Sequence, residues 1–502
     1  MSNNIGGLLK IGIGIIMNIK NNINQAEIFY KKGMHQESLD ICDKLLEKKP
    51  NLFNALQIKA LNCMATGNSK NALTLFEKAI SIKPQHASTY NNIGNIYLSN
   101  KDFRKASKSY IKALSIESLM PEALNNLATC QVELNDNISA VANYKKAILL
   151  DPIKAEYQLN LGILLTDDGD FAQAQEYLMN SLSLDQSKTS VYWHIFRIQL
   201  YSHRYQDAIE IANMGIMSQS LPEQELCELL VGRAMIFWLF YNFDEASQSI
   251  ELSQKIYEFQ HLSANIVNMA IFHRYIKELL VIRNKRTELY LPQKTREVKE
   301  IYFISESHGF APNGVIVEYN EEEYKIRSLF VLGTKLFHLI SEKENKYQVS
   351  LASLLEGITP GSKVVLAFGE IDCRNNEGIY AYCLKSGKEP KKVIDSMLVK
   401  YVDTLKAIAE HYQLEIILYG VPAPHPYHVN SLAKEEQQVF KDVIFSFNES
   451  LKNACKTNKV NMLDVYSLTN DDGQSNLKYH IDSIHIAPDA VPKLFSCMIK
   501  NN

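Results

Sequence analysis

The sequence predicts two kinds of architecture in one chain: an all-α array of helical pairs, followed by an α/β domain built on a parallel sheet. Three observations carry this. Ala72, Ala106, Ala140, Ala174 and Ala208 stand 34 residues apart. Beyond about residue 297 the pattern changes to short apolar runs, "EIYFIS", "SLFVLG", "KVVLAFG", "LEIILYGV" and "KVNMLDVY", separated by helical segments such as 391–411 and 433–456. Between the two lies "RNKRTELYLPQKTREVKE", basic, polar and without an apolar stripe, which reads as a linker. The expected organisation is an N-terminal apolar segment (1–18), helical repeats (19–283), a linker (284–297) and the α/β domain (298–500).

With 502 residues the chain is long enough for more than one core. Apolar residues at 46% and charged residues at 22% describe a globular protein rather than a disordered one. A net charge of −3 gives no reason to expect nucleic acid or an anionic membrane as partner. The eight cysteines stand as singles with no CxxC pair, which argues against a zinc knuckle or a dithiol redox site and suits a reducing compartment. The opening "MSNNIGGLLKIGIGIIMNIK" has no basic residue before its apolar part, is interrupted by Lys10, and lacks a cleavage site. It reads as a first helix or a membrane-surface segment, and a cytoplasmic location is expected.

The repeat has several columns in one register. Phe76, Tyr110 and Tyr144 form one, Ala79, Ala113 and Ala147 another. Small residues recur at Ala60, Gly94, Ala128 and Gly162, and Pro50, Pro84 and Pro152 end units. Small residues let antiparallel helices approach, aromatics fill the space beside them, and proline stops the second helix. This pattern resembles the tetratricopeptide repeat over roughly 19–220, with "ASTYNNIGNIYLSNKDFRKASKSYIKALSIE" its cleanest copy. The stretch 222–283 continues with the register slipped, as a degenerate terminal unit would. Asn92, Asn126 and Asn160 share one place in three successive units. A similar asparagine ladder in some tetratricopeptide proteins holds an extended peptide, since an amide both donates and accepts. The other reading is that these amides bridge or cap neighbouring repeats. A protein or peptide partner on the concave face is expected.

In open parallel sheets chemistry gathers at the carboxyl ends of strands. Those ends read in order "SESHG" (305–309), "LGTK" with Gly333, "FGEIDCR" (368–374) and "GVPAPHPYH"; near the C-terminus comes "YHIDSIHIAP" with Asp482 and His485 three residues apart. The order of these blocks resembles the SGNH/GDSL hydrolase family over about 297–500. The resemblance implies a nucleophile at Ser307, a base at His485 and an orienting acid at Asp482. It draws oxyanion donors from the backbone of Ser307 and Gly333. The chain departs from the family twice. Ser305-Glu306-Ser307 stands where Gly-Asp-Ser is usual, and Ile371 stands where a third-block asparagine would donate. Losing one such donor costs on the order of a hundredfold in rate. Arg374 or His308 is the expected substitute, and a guanidinium suits a developing anion.

Glu370 and Asp372, also candidates for the oxyanion and substrate region, read more simply as ion-pair partners that hold their loop. His425, His428 and His480 lack the spacing of a metal site, and no metal or cofactor is expected. Cys373 reads as a packing residue. No phosphate-cradling glycine spacing is present. The expected function is a serine esterase or O-acyltransferase working through an acyl-enzyme. Acetylated carbohydrate is the substrate class the resemblance suggests first. The alternative is a protein-binding scaffold whose hydrolase-like domain has lost activity, motivated by Ile371 and the altered first block.

Overall fold

The structure, a computed structural model, describes residues 18–258, 267–290 and 298–501. Nearly all of the N-terminal segment 1–18 and residues 291–297 of the linker therefore lie outside the described residues. The chain forms two compact units, one of residues 1–164 with 183–185, the other of 165–182 with 186–502. The division falls inside the helical array, so the later repeat helices share a unit with the sheet.

In the first unit the 34-residue columns become buried contacts. Ala72, Phe76 and Ala79 are buried on the helix Ser69–Ile82, Ala106, Tyr110 and Ala113 on Phe103–Ile116, and Ala140, Tyr144 and Ala147 on Asn137–Leu150. A Cβ on Gly94 would stand 2.5 Å from the Tyr110 ring, so the small column is small because the aromatic column fills its space. A second periodic device sits at the turns, and its fourth copy already belongs to the second unit. Gly67, Lys101, Asn135 and Gly169 have φ of +79°, +58°, +61° and +90°, the left-handed step that reverses the chain between the helices of a pair. The next residue caps the second helix: Asn68 accepts from Asn71 N–H, Asp102 from Lys105, Asp136 from Ser139 and Asp170 from Gln173.

The second unit continues with helices Ser190–Tyr201, Tyr205–Met217, Glu223–Leu239, Phe243–Glu258 and Val267–Lys285. The reversing residue is His203 (φ +56°) and then Tyr241 (φ +62°), not residue 237, because Glu223–Leu239 runs 17 residues against 13 in the helices Phe53–Ala65, Ala87–Ser99 and Pro121–Glu133. One added helical turn is the physical form of the slipped register. Lys285 ends the last helix and Thr287–Tyr290 forms a 3-10 turn.

The sheet has strands β1 (Lys299–Ser305), β2 (Ile316–Tyr319), β3 (Glu322–Phe330), β4 (Lys363–Ala367), β5 (Glu415–Tyr419) and β6 (Asn461–Leu463), in the order β2-β3-β1-β4-β5-β6. β3, β1, β4, β5 and β6 run parallel, and β2 is an antiparallel edge. β2 and β3 form a hairpin closed by Asn320 and Glu321, both at positive φ (+53° and +65°), as a two-residue turn matched to strand twist requires. Alternate strand residues face opposite ways. Ile304, Val364, Leu366, Leu418 and Met462 pack with helices Lys346–Glu356, Pro390–Tyr412 and Lys434–Asn458. Ile301, Phe303, Val365, Ile417 and Leu463 face the short helix Val491–Ser496. The region is thus mixed α/β with a parallel-rich sheet whose second helical layer is thin.

The loop after β1 is shared with the helices. Phe310, Ala311 and Phe330 lie in one core with Phe196, Leu200, Met235 and Trp238. Trp238 Nε1–H donates to the Phe310 carbonyl at 2.9 Å, and Asn313 Nδ2–H donates to the Trp238 carbonyl at 3.1 Å while its Oδ1 accepts from Ser328 N–H. Trp238 is fully buried. Trp238→Phe is expected to lower stability by about 2–4 kcal/mol, because it strands a buried carbonyl and leaves a void. A denaturant midpoint indistinguishable from that of the parent would refute this.

Candidate functional site

Ser307 stands two residues beyond the end of β1 and is the N-cap of the short 3-10 turn His308–Phe310. Gly309 leaves room for a neighbour there: a Cβ on it would lie 2.6 Å from Ser305 Oγ, and that hydroxyl would have to turn away. Ser307 Oγ is 2.9 Å from His485 Nε2. His485 Nδ1–H donates to Asp482 Oδ2 at 2.7 Å, and the other oxygen of that carboxylate accepts the backbone N–H of Ile484 and His485, each at 2.7 Å. Asp482 is therefore fixed as well as charged. Burial alone would raise its pKa, but hydrogen bonding and attraction from His485 outweigh this and hold the carboxyl well below its usual range. With Nδ1 spent as a donor, Nε2 is left as an acceptor aimed at the serine hydroxyl, an arrangement able to take the Ser307 proton.

Glu306 supplies what the sequence did not assign. Its Oε2 accepts from the backbone N–H of Ser307 and also lies within hydrogen-bond reach of the Ser307 hydroxyl, whose single hydrogen can go either to this carboxylate or to His485 Nε2, while its Oε1 accepts from His308 Nδ1–H at 2.7 Å. The carboxylate thus occupies the backbone donor that the resemblance assigned to the oxyanion. His308 Nε2–H donates to the Ile484 carbonyl at 3.2 Å, so both ring nitrogens act as donors, the pattern of an imidazolium. Burial works against that charge, but the Glu306 carboxylate overrides it and pushes the His308 pKa up to about 9. Glu306, His308 and Glu370 bring three donor atoms within 4.8 Å of one another. His308 keeps no lone pair for a cation, and Arg374 holds Glu370, so the cluster is an ion-pair network.

A cavity of about 400 Å³ opens in front of Ser307 and His485. Gly333, Ile371 and Arg374 line it, together with Lys335 and Glu377. Helices of the array supply the facing wall through Trp193, Phe196, Arg197, Tyr201, Met235 and Phe272. Gly333 sits at φ +70° after β3. Arg374 is a forked donor to Glu370, at 3.0 Å to Oε2 from Nε and 2.8 Å from Nη2. Asp372 does not reach the cavity. It is buried and accepts from Leu336 N–H at 2.8 Å, and burial raises its carboxyl to about 7 despite that bond. His308 and Glu370 likewise stand behind the lining rather than in it. Ile371 contributes only hydrocarbon. Burial pushes the Cys373 thiol well above its usual range, and its side chain packs in the sheet core.

The asparagine column is placed differently from a free ladder. Asn126 Nδ2–H donates to Asn95 Oδ1 at 3.0 Å, and Asn160 Nδ2–H to Asn125 Oδ1 at 3.0 Å, while Asn125 in turn donates to Asn126. The amides of Asn126 and Asn160 bridge neighbouring repeats; Asn92 is partly buried. No helix among the described residues is long and apolar enough to cross a membrane.

The Glu306–His308 pair has a pH signature. Its raised pKa means the His308 interaction contributes fully below the ordinary value near ~6.5 and is lost as pH rises through about 9. Thermal midpoints are expected to fall from pH 7 to 10 more steeply in the parent than in Glu306→Gln. Parallel slopes would contradict the pair.

Comparison with known proteins bears on the helical part. A tetratricopeptide-repeat family model matches residues 53–86, 87–118, 121–154 and 155–188. No curated protein matches the chain. Solved structures that resemble it include a tetratricopeptide repeat protein from Parabacteroides merdae (15% identity, 51% of this chain and 99% of that one, TM-score 0.40). PilF of Pseudomonas aeruginosa (16%, 41% and 93%, TM-score 0.38) is another. A third is YrrB, described as a TPR protein with an unusual peptide-binding site (19%, 35% and 90%, TM-score 0.32). The matched repeats coincide with the helical pairs, turns and caps described above: residues 53–188 are four tetratricopeptide repeats.

Proposed function

We propose that the α/β region is a serine hydrolase or O-acyltransferase of the kind the SGNH/GDSL resemblance implies, and that the repeats recruit a protein partner. The observation that supports the reading most is the continuous relay from Ser307 Oγ through His485 to Asp482, at 2.9 and 2.7 Å, at the edge of a cavity. In this reading His485 Nε2 takes the Ser307 proton as Oγ attacks an acyl carbonyl. The alcohol leaves with that proton, and the acyl group remains on Ser307 until water or an acceptor hydroxyl removes it. Charge on the carbonyl oxygen falls to Arg374 and the Gly333 backbone, because Glu306 holds the Ser307 N–H. The acyl group expected first is acetate on a carbohydrate. Protein recruitment follows the common use of stacked helical repeats as binding surfaces, and YrrB is a repeat protein whose description names a peptide-binding site.

A second reading, a binding scaffold with an inactive α/β region, is favoured by one observation: Glu306 occupies the Ser307 amide while Ile371 offers no donor. The readings separate on covalent chemistry. A fluorophosphonate probe is expected to label Ser307. Ser307→Ala and His485→Ala are each expected to lower p-nitrophenyl acetate hydrolysis by at least about a thousandfold. Arg374→Met is expected to lower kcat by about a hundredfold with a smaller change in KM. Absence of labelling in a folded protein would leave the scaffold reading.

A further inference from the structure

Tyr275, on the helix Val267–Lys285, stacks flat on the His485 imidazole, with ring centroids 3.8 Å apart and planes inclined by 7°. Both rings are buried, Tyr275 at 1% and His485 at 1% exposure. The tyrosine is itself held from the serine loop: Ala311, four residues after Ser307, donates its backbone N–H to the Tyr275 hydroxyl at 3.1 Å. The ring is packed edge-on by Phe310 at 6.2 Å. Its orientation is thus fixed at both the phenol tip and the ring body.

We propose that Tyr275 is a positioning residue for His485, contributed by the helical array, and that its π face steadies the imidazolium formed when Ser307 loses its proton. The inference rests on the acyl-transfer reading above. The groups facing His485 make the need for such a face specific. Asp482 holds Nδ1 at 2.7 Å and favours the charged ring. His308, already an imidazolium, lies 5.1 Å away centroid to centroid and opposes a second positive charge. Its partner Glu306 sits across Ser307 and offsets part of that repulsion. His480 also acts on this ring, but burial pushes its pKa down to about 4, so it adds no positive charge near neutral pH. Tyr275 covers one face of the ring without adding a charge, and an aromatic face attracts a cation by about 1 kcal/mol or more when water is excluded. It also bars tilting of the ring, which would break the 2.9 Å line from Nε2 to Ser307 Oγ.

The test uses the full chain. In the parent and in Tyr275→Leu, the His485 titration is followed by its ring ¹³C–¹H signal, assigned with His485→Gln, and kcat and KM for p-nitrophenyl acetate are measured across pH 5–9. Loss of the ring is expected to lower the His485 midpoint by about half to one pH unit and kcat by about five- to tenfold, with KM little changed. Tyr275→Phe keeps the face and is expected to recover the parental midpoint and most of kcat. Tyr275→Met replaces Tyr275→Leu if the latter does not fold. An unchanged midpoint in the non-aromatic variant overturns the inference, as does a Phe variant as impaired as the Leu variant. Failure of the parent to hydrolyse ester or take up fluorophosphonate would remove the acyl-transfer reading. The titration would still decide whether the ring stabilises the charged histidine.

Discussion

Everything at this site depends on how one buried loop, residues 306–313, satisfies its own polar groups. A loop under a core cannot leave its N–H and C=O groups bare, because each unpaired one costs about as much as a lost hydrogen bond. Here the partners come from outside the sheet. Trp238 takes the carbonyl of Phe310, Tyr275 takes the N–H of Ala311, and Asn313 ties the loop to the end of Glu223–Leu239 and to β3. The serine is where it is because the last helices of the array hold the loop that carries it. Fixing the loop from the helices also fixes the face of His485 and one wall of the cavity.

The electrostatic layout follows from the same burial. Two carboxylates stand near Ser307, and each is matched to a different histidine. Asp482 faces His485 with two backbone N–H bonds behind it, and Glu306 faces His308 with Ser307 between. The histidines are consequently unlike. His308 donates from both nitrogens and is committed to charge, while His485 keeps an acceptor nitrogen on the hydroxyl. Pairing titratable groups so that their protonation states diverge is how one pocket comes to hold a fixed ion pair beside an exchangeable proton.

Much of this was legible in the chain. The 34-residue columns gave the helical pairs because a repeated small-aromatic contact leaves a periodic trace. The five apolar runs gave the parallel strands because each is bounded by turn residues and long enough to span a sheet. Ser307, Asp482 and His485 were placed together by motif order, and they do converge. The role of Glu306 is not legible, since nothing in a sequence tells whether an acid beside a serine turns inward. Tyr275 left no local signal; its partner is 210 residues away in the chain. The periodic asparagine column is open to two readings, a peptide ladder or a bridge between repeats, and the amides of Asn126 and Asn160 do bond to adjacent repeats. His308, Glu370 and Asp372 sit one layer behind the cavity, a depth that proximity in sequence does not encode.

The shared core of Phe310, Ala311 and Phe330 with Trp238 also bears on how the molecule can be divided. A cut at residues 284–297 looks natural from composition, yet it would uncover those apolar side chains at the very loop that bears Ser307. The fragment after the cut would be sticky where it should be selective, and contiguous exposed apolar surface of that kind promotes association. Modularity in this chain is therefore a property of its sequence pattern more than of its folded surfaces. The smallest piece that keeps the serine loop covered begins within the repeats.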